Sequence, residues 1–178
     1  MPDWIGHVTA AWIICRLLSL KYKEFDTTNT VLVMIGSILP DLYKVVIFSP
    51  GMKNLLMILH IPVGTLIVAG IFSILFLDKK KAFLLLTLGI LTHYILDMLQ
   101  LDFNGGMYLL FPFSWYQFTF SLITTDNVYF TLGMLATAVL VYIITFFINK
   151  NRASRWSQNM NPIKKSLVIF DQKKPRNI

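Results

Sequence analysis

From Leu55 to Leu77 the chain carries not one Asp, Glu, Lys or Arg. A helix needs about 20 apolar residues to cross the hydrocarbon core of a bilayer, and this run supplies them. In lipid every backbone N–H and C=O must be satisfied internally, which leaves helices and closed barrels as the spanning structures. Four further runs have the same character, at 4–20, 30–48, 82–100 and 127–149. Composition agrees: of 178 residues, 56% are hydrophobic and 14% charged, where a soluble domain carries about a quarter charged. The predicted fold is therefore all-α, an integral membrane helical bundle of about five transmembrane helices, multi-pass in the cell membrane. The first run holds Arg16, but its basic flank follows it and none precedes it, so it reads as a helix and not as a signal peptide. Cys15 stands alone and reads as a small buried hydrophobe.

Lysine and arginine favour cytoplasmic loops and so set orientation. Loop 21–29 carries Lys21 and Lys23, and the turn 78–81 carries Lys79, Lys80 and Lys81. The tail carries Lys150, Arg152, Arg155, Lys164, Lys165, Lys173, Lys174 and Arg176. Five crossings put all three regions on one side, so the N-terminus is expected outside and the C-terminus in the cytoplasm. Loop 49–54, with Lys53 alone, and region 101–126, with no Lys or Arg, then fall outside. Region 101–126 contains Gly105, Gly106, Pro112, Trp115 and Tyr116. Rings with polar tips favour the headgroup level, so this segment is expected to fold along the outer interface as a cap. The division is a transmembrane domain over 1–149 and a basic cytoplasmic tail over 150–178. The tail is read as disordered or lying on anionic inner-leaflet lipid, with no nucleic acid as partner.

Smaller signals refine the helices. Pro40 is expected to bend the second, and Gly36, Gly64, Gly70 and Gly89 to serve close packing. Asp3 and Asp126 are candidate N-caps, Asp102 and Asn104 suit a turn in DFNGG, and Lys44 is expected to snorkel outward.

The histidines and acidic residues inside these runs are few: His7, Asp41, His60, His93 and Asp97. Because successive helices alternate in direction, all of them reach the outer half of the bundle. His93 and Asp97, at i and i+4, project from one helical face. A charge near the bilayer centre costs at least about 2.5–3.5 kcal/mol, so the two aspartates are expected to face inward and find partners. One divalent cation would neutralise both. Imidazole with carboxylate suits zinc, or manganese as the alternative, better than calcium. His7, Asp41, His60, His93 and Asp97 are therefore the candidate metal ligands, and Asp41 the candidate catalytic base or second-metal ligand. The partner expected at that depth is membrane lipid.

Two rivals stand beside this reading. A lone membrane histidine is most often a hydrogen-bonded packing residue, and the cluster would then only lock helices together in a membrane scaffold. A non-enzymatic ion or proton pathway would need polar groups continuing to the inner leaflet, where the third and fourth helices offer Ser73 and Thr87 but no acid. No G-x-S-x-G, Walker loop, C-x-x-C or H-E-x-x-H occurs, which leaves serine-nucleophile and nucleotide-binding chemistry without support.

Five short motifs occur in order: DWIGH at 3–7, GSILPDL at 36–42, LHIPVGT at 59–65, LTHYILDML at 91–99 and GGMYLLFPFSW at 105–115. Together they resemble the YdjM-like membrane-bound metal-dependent hydrolases, also called LexA-binding, inner-membrane-associated hydrolases, over roughly residues 3–130. The resemblance implies kinship with zinc-dependent phospholipase C and single-strand-specific zinc nucleases, helical enzymes with an H-x-x-x-D motif whose Asp bridges two metals. It makes 1–149 a hydrolase-like domain, with a phosphoester or lipid headgroup near the outer interface as the expected substrate. It implies that His60, His93 and Asp97 hold one metal, and that His7, Asp41 and Asp97 hold or flank a second. The chain departs from the pattern in having only His60 in HIPVGT and no histidine after Asp97, which argues against a three-metal site.

Overall fold

The computed structural model describes residues 4–42, 60–101, 107–120, 122–124 and 128–172. Asp3, Lys44, Lys53, Asp102, Asn104, Gly105, Gly106 and Asp126 lie outside the described residues, as do 43–59 of the second and third expected helices. The elements are α1 (Trp4–Leu18), α2 (Thr27–Gly36), a 3-10 turn (Leu39–Asp41), α3 (Pro62–Ser73), α4 (Lys79–Met98), strands β1 (Gln100–Leu101) and β2 (Ile123–Thr124), and α5 (Val128–Gln172). Among the described residues the architecture is all-α, with one parallel pair of two-residue strands.

Local chemistry fixes the element ends. Asp26 caps α2, its carboxylate accepting from Asn29 N–H at 2.8 Å, which satisfies one of the orphan donors of the first turn. The sequence suggested that Pro40 would bend this helix; instead the helix stops at Gly36. Proline has no N–H to continue the ladder, so the chain tightens into the 3-10 turn, with Asp41 N–H donating to Ile38 C=O at 2.9 Å. Ile61 is extended at φ −96°, ψ 138°, and Pro62 opens α3 at its first turn, where a missing N–H costs nothing. Lys79–Lys81 were expected in a tight turn. They form the first turn of α4 instead, because Asp78 caps it by accepting from Lys81 N–H at 3.0 Å.

The chain divides into two units, Met1–Val141 and Tyr142–Ile178. In the first, α4 is central and packs on α1, α2 and α3, while α2 also packs on α1. Its buried residues include Ala82, Leu86, Gly89, His93 and Asp97, a spacing of three or four that marks one face. Its other face presents Leu84, Leu91 and Ile95 outward. Polar groups are thus inside and apolar ones outside, the arrangement that lipid favours. Ala11, Cys15, Leu32, Val33, Ala82 and Leu85 form one apolar layer. Leu39, Ala69, Leu86, Ile90 and Tyr94 form a second.

Two glycines set how closely α2 and α4 approach. A Cβ on Gly36 would meet the Leu86 backbone carbonyl, and one on Gly89 would meet the Val33 carbonyl oxygen. The crossing is therefore backbone on backbone, the geometry small residues permit. It lies one turn before His93. Beyond Met98, Phe120 N–H donates to Met98 C=O at 2.7 Å and Leu122 N–H to Leu99 C=O at 2.9 Å. A loop held by the Met107–Phe118 bridge is thereby hung from the end of α4.

In the second unit α5 continues past Lys150 to Gln172, where the sequence reading expected a tail either disordered or lying on the membrane surface. Residues 150–161 contain no Gly or Pro to stop it. By length and composition Lys79–Met98 and Val128–Arg152 can cross a membrane; Trp4–Leu18 and Pro62–Ser73 are apolar but shorter.

Candidate metal centre

The cluster is assembled by two helices, one turn and the residue pair that leads into a third helix. α1 supplies His7 near its start, the 3-10 turn supplies Asp41, the residue pair before α3 supplies His60, and α4 supplies His93 and Asp97. His7, Asp41, His93 and Asp97 are buried, and His60 alone is partly open, its side chain 19% exposed. The five residues singled out in the sequence are thus brought to one place.

Asp97 divides its oxygens between two sets of rings. Its Oδ1 lies 3.3 Å from His7 Nε2, while Oδ2 lies 3.2 Å from His60 Nε2 and 3.1 Å from His93 Nε2. Asp41 Oδ1 lies 3.6 Å from His60 Nδ1 and 3.8 Å from His93 Nε2. The His7 and His93 rings stack with centroids 3.9 Å apart. Two sets of three donors are close enough to share an ion: His7, Asp41 and His93, and His60, His93 and Asp97. The second reproduces the trio expected for the first metal. The first contains His93 in place of Asp97, and the two overlap there. One nitrogen lone pair serves one ion, so these are not two complete, independent sites.

The 3-10 turn does more than present Asp41. His93 Nδ1 lies 2.8 Å from Ser37 C=O, and His60 Nδ1 lies 3.3 Å from Pro40 C=O. A carbonyl only accepts, so each Nδ1 carries the proton, and the Nε2 of each ring is turned to Asp97. A histidine whose far nitrogen is held by a backbone carbonyl is the usual arrangement around a bound metal. Proline makes this available. Residue 40 has no N–H to return to the carbonyls of Gly36 or Ser37, so α2 ends with acceptors to give.

The donor set fits a divalent ion. Two carboxylates and neutral imidazoles balance a double positive charge. Ligands 2.0–2.1 Å from a tetrahedral ion stand about 3.3 Å from one another, close to the 3.1–3.3 Å separations around Asp97. These separations are short, yet His7 Nε2, His93 Nε2 and both Asp97 oxygens lack hydrogen-bond geometry. A buried polar atom left so costs about 1–3 kcal/mol. A cluster serving only to lock helices would be expected to aim these atoms at one another in hydrogen-bond geometry.

Sequence reasoning missed the buckle beside the cluster. Tyr94 and Thr65 hydroxyls are 2.7 Å apart and buried, and Thr65 Oγ1 also donates to Ile61 C=O at 3.2 Å. This joins α4 to the first turn of α3, directly after His60. The Tyr94 ring packs edge-on against His60 and His93, with centroids 6.1 and 5.7 Å away. The available signals were the hydroxyl of Tyr94 in an apolar run, which needs a partner when buried, and the missing N–H of Pro40.

A family model described as YdjM inner membrane protein matches residues 1–161. No curated protein and no solved structure matches the chain.

Proposed function

This chain belongs to the YdjM inner membrane protein family, and from that premise we propose that it is a multi-pass, zinc-dependent hydrolase acting on a phosphoester, in particular a lipid headgroup, at the outer interface. Five crossings, with the N-terminus outside and the basic tail in the cytoplasm, accompany this reading; the charge asymmetry of the loops supports them. The observation that carries the proposal is the convergence of His7, Asp41, His60, His93 and Asp97, with atoms of His7, His93 and Asp97 buried and outside hydrogen-bond geometry.

His60, His93 and Asp97 would hold the ion, with His7 and Asp41 flanking it. When bound, the ion supplies Lewis acidity to a phosphoryl oxygen and acidifies water in its shell. Asp97 and the stacked His7 and His93 rings hold the centre rigid. His60, as the partly exposed member, marks the side on which substrate arrives. Asp41, buried beside His60 and His93, takes the proton as general base. Manganese is the alternative ion, because the same nitrogen and oxygen donors accept it.

The test is phosphodiester hydrolysis by the full chain in liposomes. Chelation should abolish turnover and zinc should restore it, while Asp41→Asn should lower kcat by about 10²–10⁴-fold, the usual worth of a general base. Turnover that survives chelation, or an Asp41→Asn variant as active as wild type, would overturn the proposal.

A further inference from the structure

The loop hung from the end of α4 touches the core through Met107, and several of its rings are left exposed. Phe113 is 94% exposed and Trp115 71%, and Leu110, Tyr116, Phe120 and Leu122 are exposed as well. From Phe103 to Thr125 the chain has no Asp, Glu, Lys, Arg or His. An uncharged loop presenting this much aromatic surface to water would be an aggregation liability in a soluble protein.

The loop is nonetheless built. Met107 and Phe118 exchange backbone hydrogen bonds at 2.9 and 3.0 Å, and Gln117 Nε2 donates to the Tyr108 hydroxyl at 2.6 Å. Tyr108 and Phe111 rings meet Trp115 edge-on, with centroids 5.9 and 4.9 Å away. Trp115 is thus held in position while most of its surface faces outward. The hydrogen bonds from Phe120 and Leu122 to Met98 and Leu99 place the loop at the end of one of the helices long and apolar enough to cross a membrane. On α4 itself, Leu91 and Ile95 are exposed as well.

We propose that residues 107–120 insert their aromatic edge into the bilayer leaflet at the C-terminal end of α4, with Phe113 in the acyl region and Trp115 and Tyr116 at headgroup level. The occupant of this surface is phospholipid. Tryptophan and tyrosine collect at that depth because each has an apolar ring and a polar tip, and the absence of charge removes the usual obstacle to insertion. The inference does not rest on the metal centre and would survive its failure.

The test uses the full chain with Trp4→Phe, Trp12→Phe and Trp156→Phe, so that Trp115 is the remaining tryptophan and the loop is untouched. The protein is placed in phosphatidylethanolamine–phosphatidylglycerol vesicles with or without bromine on the acyl chains. Brominated lipid should lower Trp115 emission about twofold or more, as expected for a ring at the interface, and aqueous acrylamide should quench it weakly. Moving the probe, with Phe113→Trp in a Trp115→Phe background, should give stronger quenching by bromine. Quenching by acrylamide without quenching by bromine would put the loop in water and overturn the proposal. Shielding from both would mean that protein covers the loop, and would overturn it equally.

Discussion

At the residue scale, the centre depends on which nitrogen of each histidine is left bare, and this is decided by backbone carbonyls. Ser37 C=O holds His93 Nδ1 because Pro40 returns no N–H to the end of α2. Replacing Pro40 with alanine restores a donor that competes for those carbonyls. Pro40→Ala is therefore expected to weaken zinc binding about 10–100-fold, the usual effect of losing a supporting partner of a ligand, without lowering the thermal stability of the metal-free protein. Competition with a chromogenic chelator reads the first and thermal unfolding in detergent the second; unchanged affinity would count against the role given to the turn. Tyr94 acts at the same scale. Tyr94→Phe removes the hydroxyl that joins α4 to Thr65 and should cost about 0.5–1.5 kcal/mol of stability. It should also weaken metal binding in the wild-type background but not further in His60→Ala. Equal losses in both backgrounds would mean that Tyr94 does not act through His60.

At the element scale, the α2–α4 crossing determines whether the cluster residues can meet. Gly36 and Gly89 bring two backbones into contact, and His93 follows Gly89 by one turn on the same face. Gly89→Ala should destabilise by about 1–3 kcal/mol, the cost of forcing extra volume into a packed contact, and should lower metal affinity because α4 must move away from Ser37. Denaturant unfolding beside zinc titration checks both, and a stable variant with wild-type affinity would show that the crossing has slack. Much of this scale was legible in advance. The apolar runs located α1, α4 and the start of α5, and the i,i+4 pair put His93 and Asp97 on one face. What the sequence hid were ends set by single hydrogen bonds. Asp78 turned a predicted lysine turn into the start of α4, and Pro40 turned a predicted bend into a helix end. The partner of Tyr94 was also hidden, since Thr65 lies on another helix and nothing local points to it.

At the scale of the whole molecule, the chain is arranged for lipid: polar groups converge within the first unit, and isoleucine, leucine and aromatic side chains face out. Neutralising two buried carboxylates with a cation, and not with water, suits that setting. The sequence reading expected all three histidines to gather with Asp41 and Asp97, on the premise of five alternating crossings, and the five side chains do lie together. Their pairing was not legible, because Asp97 splits its oxygens between His7 and the His60–His93 pair, a matter of side-chain rotation. A bound metal would make the assembly pH-dependent. Imidazole and carboxylate ligate only when deprotonated, so protons compete with the ion and affinity must fall with acidification. Zinc titrations between about pH 7.5 and about pH 5.5, across the range where imidazoles titrate, should show a steady decline, and affinity that stays flat would speak against histidine ligands. The most direct test of the central claim is elemental analysis of the detergent-purified full chain, loaded with zinc or manganese and freed of excess, beside Asp97→Ala treated identically. The expected result is on the order of one tightly held ion per wild-type chain and loss of that ion in the variant; a wild-type protein that keeps no metal, or a variant that keeps as much, would contradict it.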